Sequence, residues 1–183
     1  MTYSRDLVVA AYREAGNIRA TCAKTGVSPY TAFIWLKQAG VLTLDDKSSY
    51  GTRSAKAGAE AEMEFQRLVP DAIPANKHIQ NNCPSFDFLV HELSVDVKFS
   101  AIRSGGDWGW RMCRHKPLKP DFVVVFLSQG RTISDGYFIL LLPEQLFEDR
   151  ASMSLSQTSR DSFLWDFQIG PDSLSKTLHE ASA

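Results

Sequence analysis

The chain has 183 residues, 44% of them hydrophobic, with 20 Lys and Arg against 21 Asp and Glu and a formal net charge of −1. These values place it among soluble globular proteins of one or two domains, long enough to bury a core. No apolar run approaches the roughly 18 residues of a membrane span, and the start MTYSRD lacks the pattern of a secretory signal. Cys22, Cys83 and Cys113 form neither a CxxC pair nor an even set, which suits a reduced, cytoplasmic protein. A near-neutral total argues at first against a phosphate-rich partner, but it averages over segments. Between Lys98 and Lys119 stand Lys98, Arg103, Arg111, Arg114, Lys116 and Lys119 against Asp107 alone.

In chain order, Ser4 caps a predicted helix whose Leu7, Val8, Ala11 and Tyr12 share a face, and Gly16 and Asn17 end it. A second helix, IRATCAKT, turns Ile18, Cys22 and Ala23 inward. Gly26 stops it, and Ser28 with Pro29 opens a third, PYTAFIWLKQ. Two helices joined by a short glycine turn form a helix-turn-helix pattern. The segment from Ala15 to Val41 resembles the DNA-binding helix-turn-helix of transposase-like and resolvase-like modules. The resemblance implies that Val27, Ala32, Trp35 and Leu36 pack inward, while Tyr30, Thr31, Ile34 and Lys37 face a DNA major groove.

Residues 43–57, TLDDKSSYGTRSAKA, are polar and read as a linker or extended arm, which gives domains of 1–42 and 58–183. GAEAEMEFQRL then forms a helix. Next comes a hairpin, SFDFLVHELSVDVKFS, turning at His91 and Glu92. Alternation places Val95, Val97 and Phe99 on one face of the second strand and Asp96, Lys98 and Ser100 on the other. The turn brings Asp87 opposite or diagonal to Asp96, so two acids converge beside one lysine. Carboxylates that close repel unless a positive group separates them, and a Mg²⁺ or Mn²⁺ ion fits oxygen donors of this kind. D-x-K taken alone also fits a plain ion pair on a sheet face.

The order of elements is more specific: a GAEAE helix, a hairpin carrying Asp87 and D-V-K, a basic strip, then a strand. Over residues 54–145 it resembles the PD-(D/E)XK nuclease superfamily, and within it the small endonucleases akin to Holliday-junction resolvases. Gly58 and Glu62 match the family's helix pattern, Asp87 and Asp96 its metal-binding acids, and Lys98 its catalytic lysine. The resemblance implies Mg²⁺ held by Asp87, Asp96 and the Val97 carbonyl, with Glu62 as a further ligand. It also implies an α/β fold, in which a restriction-endonuclease-like mixed sheet flanked by helices follows the all-α N-terminal unit. The sequence departs from the pattern in that its proline, Pro84, stands three residues before Asp87. A literal Pro-Asp occurs at Pro70-Asp71, but there the helix ends and no strand aims the acid. Glu60 and Glu64 are alternatives to Glu62 that lie round the helix from it.

In the basic strip, Trp108 and Trp110 alternate with Arg103, Arg111 and Arg114, a mixture suited to stacking on unpaired bases, although Trp110 also reads as core. Ser100, Arg103, Arg111, Arg114 and Lys116 are the expected phosphate contacts, and His115 reads as a surface donor. DFVVVFLS and GYFILLLP read as buried neighbouring strands, PEQLFED as a short helix, and the serine-rich 151–160 as a mobile loop. Phe163, Leu164, Trp165, Phe167 and Ile169 then cover the sheet. The expected activity is a Mg²⁺-dependent endonuclease acting on duplex or branched DNA, as a homodimer if both strands are cut. The competing expectation is a catalytically silent DNA-binding regulator or assembly factor on a nuclease-like scaffold. A ribonuclease would share the chemistry.

Overall fold

The computed structural model of the chain describes residues 4–75, 86–112, 119–147, 150–159 and 161–182. Cys83, Pro84, Cys113, Arg114, His115 and Lys116 lie outside them. Among the described residues the chain is mixed α/β, with six α-helices and one mixed six-stranded sheet, as the expected fold class requires.

Three short helices come first: α1 (Arg5–Ala15), α2 (Ile18–Thr25) and α3 (Pro29–Gln38). Each opens on a side-chain cap, Ser4, Asn17 and Ser28, whose oxygen accepts an N–H of the first turn. Gly16 and Gly26 end the first two in the left-handed region, at φ 74° and 73°, where a side chain would be strained. Their core is Val8, Tyr12, Ile18, Val27, Ala32, Phe33, Leu36 and Leu42. Three details correct the sequence reading. Leu7 and Ala23 are exposed, Thr21 takes the inward place on α2, and Phe33 joins the core while Trp35 is half-buried.

Residues 43–57 are not an extended arm. Thr43 caps α4 (Leu44–Tyr50), Thr52 caps α5 (Arg53–Leu68), and α4 packs on α5. The polar side chains that suggested a linker are used as tertiary partners. Asp46 is buried; its Oδ2 accepts the Tyr12 hydroxyl at 2.5 Å and its Oδ1 accepts the Ile18 N–H at the start of α2 at 3.2 Å. A carboxylate at a helix N-terminus is favoured by the helix dipole, so α4 fastens α1 and α2 to the rest of the chain.

The main sheet runs β1 (Ile73–Pro74), β2 (Phe88–Val90), β3 (Leu93–Ala101), β5 (Phe122–Ser128), β6 (Tyr137–Pro143), β8 (Gln168–Ile169). β2 and β3 form the expected antiparallel hairpin, β3 and β5 run parallel, and β5 and β6 are antiparallel. On one face Val95, Val97, Val124, Phe126, Ile139 and Leu141 pack under Ala61 and Phe65 of α5 and Leu174 and Leu178 of α6 (Pro171–Ala181). The other face carries Val123, Val125, Leu127, Leu140 and Leu142. A second sheet covers it, made of β4 (Asp107–Arg111) and β7 (Ser152–Ser156), with Leu164 beside them.

This second sheet overturns two expectations. The serine-rich stretch is a strand, because Met153 and Leu155 alternate with serines and turn onto Trp110 and Trp108. Both tryptophans belong to the core, 0% and 4% exposed, and Trp108 Nε1 donates to the Ser128 carbonyl at 2.7 Å. Neither offers a ring to a base. The helix expected at PEQLFED is a single 3-10 turn, Glu144–Phe147.

Candidate active site

β2 and β3 pair only over Phe88↔Val95, Leu89↔Ser94 and Val90↔Leu93. Beyond Val95, β3 continues along β5 while the other chain of the hairpin leaves it. That split leaves the Val97 N–H without a strand partner on the β2 side, and Asp87 takes it: its Oδ2 accepts the N–H at 2.8 Å. The N–H and C=O of one strand residue point to the same neighbour, so the Val97 carbonyl faces the gap where Asp87 sits. The register also fixes Asp96 opposite Val123 and Lys98 opposite Val125, on the face away from α5. Asp96 is buried, and Lys98 Nζ lies 2.6 Å from its Oδ2.

Glu62 approaches from α5, its side chain 16% exposed, with Lys47 of α4 at 3.7 Å. Burial, then the negative charge of Asp87, pushes the Glu62 carboxyl up to about 7; Lys47 and Lys98 oppose the shift and Asp96 adds to it. Burial acts to lower the Lys98 pKa, but Asp96, Asp87 and Glu62 together outweigh it and hold the ammonium charged above its usual range. Glu62, Asp87, Asp96 and Lys98 therefore share one electrostatic environment.

Of the helix acids, Glu62 faces this group. Glu64 turns to Arg67 and the Tyr137 hydroxyl instead. Asp71, the acid of the literal Pro-Asp, points elsewhere, to His179 of α6 at 2.7 Å.

The donors around the gap are carboxylate and carbonyl oxygens, the set a hard divalent ion takes. The fit rests on two observations: mutually repelling, desolvated carboxylates that a cation would relieve, and a backbone carbonyl aimed at the same gap. Among the described residues, the group of His, Cys, Asp and Glu whose ligand atoms all lie within 4.8 Å of one another is Asp71, His91 and His179. Glu62, Asp87 and Asp96 do not all come within that distance of one another, and Lys47 and Lys98 lie beside Glu62 and Asp96.

A cleft of about 510 Å³ reaches Glu62 and Asp87. Phe88 lines it beside them, together with Tyr12, Arg13, Val41, Thr43 and Lys47. Helix α1 and residues 40–43, which follow α3, thus border the same cleft as Glu62 and Asp87. Lys47 is the residue that sequence reasoning missed, because it stands in the supposed linker. The LDDK run beginning at the Thr43 cap was the available signal.

The nucleic-acid residues expected from sequence divide. On α3, Tyr30 is 76% exposed and Lys37 is exposed, whereas Thr31 and Ile34 are half-buried. Arg103 and Arg111 are exposed, Arg103 paired with Asp107 at 3.2 Å. Ser100 does not reach a surface: it is buried, its hydroxyl donating to the Gly109 carbonyl and accepting the Gly109 N–H. Its place on the inward-facing side of β3, beneath β4, is the physical reason.

No described helix is long and apolar enough to cross a membrane. No protein-family model matches the chain, and no curated protein does. Among solved structures, the chain is similar to the bacterial homing endonuclease I-Ssp6803I, with a TM-score of 0.49 and 16% identity, over 69% of this chain and 92% of that one. A likeness of that degree fixes neither activity nor substrate for this chain.

Proposed function

We propose that the chain is a divalent-metal-dependent DNA endonuclease of PD-(D/E)XK type. The observation that carries this reading is the convergence of Glu62, Asp87, Asp96 and Lys98 at the split between β2 and β3, with the Glu62 carboxyl pushed up to about 7. Asp87, Asp96 and the Val97 carbonyl would hold Mg²⁺ or Mn²⁺, with Glu62 a further ligand directly or through water. The ion, when bound, supplies Lewis-acid stabilisation of the charge that grows on the phosphate. Lys98 orients the attacking water by hydrogen bonding and stays cationic against the developing negative charge. A bound cation would favour the ionised form of Glu62, whose carboxyl burial and Asp87 push up in the metal-free chain.

In this reading α1–α3 form a helix-turn-helix that presents Tyr30, Thr31, Ile34 and Lys37 to duplex DNA, and Arg103 and Arg111 contact phosphates near the cut. Cleavage of both strands would need a second copy of the chain. The test is nicking or cutting of single-stranded, duplex, branched and RNA substrates with Mg²⁺ or Mn²⁺. Wild type should cut DNA, while Asp96→Asn and Lys98→Ala should still bind it and not cut. Equal cutting by all three would refute the assignment.

A DNA-binding regulator on a nuclease-like scaffold is favoured by one observation: the Lys98–Asp96 and Lys47–Glu62 pairs neutralise acids internally. That reading predicts no thermal shift with Mn²⁺ that depends on Asp96, whereas the nuclease reading predicts one.

A further inference from the structure

We propose that Asp71, His91 and His179 form a second metal site, separate from the acidic cluster, that takes a transition ion of the Zn²⁺ class and fastens the C-terminal helix to the β2–β3 turn. The proposal does not rest on the nuclease reading. The three residues come from three elements: the turn after α5, the hairpin turn, and the last turn of α6. Their ligand atoms all lie within 4.8 Å of one another. His179 Nε2 is 2.7 Å and His91 Nε2 is 3.8 Å from the same Asp71 oxygen.

Four ligands held at about 2.0–2.1 Å around zinc stand about 3.4 Å apart. The observed separations of 2.7 and 3.8 Å straddle that value. Small side-chain movements would therefore close the shell, with the Asp71–His179 hydrogen bond opening and the His91 contact tightening. Two imidazoles and one carboxylate suit Zn²⁺, Co²⁺ or Ni²⁺ and are a poor set for Mg²⁺. The three side chains are 46%, 55% and 39% exposed in the order Asp71, His91, His179, so water can fill the fourth position.

A second observation comes from the backbone. His91 has φ 52°, the one non-glycine residue in the left-handed region among those described. A two-residue hairpin turn requires that conformation, which histidine adopts more readily than most side chains. The turn holds the imidazole with its ring 4.7 Å from that of His179 at 72°. A shared cation would engage both imidazoles and the carboxylate at once.

The test uses the full chain, stripped with chelator and then titrated with ZnCl₂ and, in parallel, CoCl₂. We expect one Zn²⁺ bound with micromolar or tighter Kd, visible Co²⁺ absorption of a four-coordinate site, and a Tm rise of roughly 5–10 °C at a hundredfold excess over Kd. His91→Ala and His179→Ala should each weaken binding by at least about tenfold. His91→Asn, which tolerates the left-handed backbone, should weaken it equally while preserving the unliganded melt. Asp96→Asn should bind Zn²⁺ as wild type does, although it abolishes cleavage if the nuclease reading holds. Absence of Zn²⁺ binding below about 100 µM, equal binding by the histidine variants, or loss of binding in Asp96→Asn would each overturn the site.

Discussion

Replacing Glu62 with Gln in the metal-free chain should raise stability at pH 8 and leave it nearly unchanged at pH 4. The side chain keeps its shape and loses its charge. In the folded chain the carboxyl has moved from 4.5 to about 7, mainly through burial and then through Asp87. Between those pH values the folded chain holds a proton that the unfolded chain has released. The folded state therefore binds more protons, and stability falls as pH rises through the window. At about 1.4 kcal/mol per pH unit, the cost of ionised Glu62 above pH 7 is about 3 kcal/mol, as an upper value. Glu62→Gln removes it, which for a chain of this size is a Tm gain of roughly 6–12 °C. Thermal melts in chelator at pH 4 and pH 8 measure both ends. A gain of equal size at the two pH values, or a loss at pH 8, would show that Glu62 is not held as a strained carboxyl beside Asp87.

Asp46→Ala should cost about 2–4 kcal/mol in urea unfolding, since it removes the acceptor of the Ile18 N–H and leaves the buried Tyr12 hydroxyl only the longer contact to Thr43; a change under 1 kcal/mol would mean that α4 does not anchor the N-terminal helices. Trp108→Ala should cost about 3–5 kcal/mol, because the ring is fully buried between Phe138 and Trp165. Trp108→Phe should leave nucleic-acid affinity unchanged, and a fall in affinity without a fall in stability would restore the stacking role. Lys37→Ala should weaken DNA binding across sequences and lower the salt slope by about one; an unchanged slope would take α3 off the DNA.

Strands and their faces were legible in the sequence because period-two alternation and continuous apolar runs are local signals. The hairpin, the two central strands and the side of β3 on which Asp96 and Lys98 fall all follow from such signals. What was not legible depends on partners distant in the chain. Residues 43–57 look like a linker because Asp45, Asp46 and Lys47 are polar, yet Asp46 is buried against Tyr12 and Ile18. Trp108 and Trp110 sit among arginines in sequence, while their environment is set by Met153 and Leu155, more than 40 residues later. Ser100 alternates onto the same face as Lys98, but only the closure of β4 over it shows that its hydroxyl is spent on Gly109. Pro70-Asp71 is a literal Pro-Asp, but α5 ends just before it and the acid turns to His179 of α6.

The docking of α4 between the first three helices and α5 has a mechanical consequence. A tethered reading module can swing and sample many cutting positions, whereas one whose wall shares a cleft with the acids has its offset built in. If α3 lies in a groove, scission should fall at one distance from the recognised bases. Lengthening the Gly51 turn should then blur the cut position before it weakens binding.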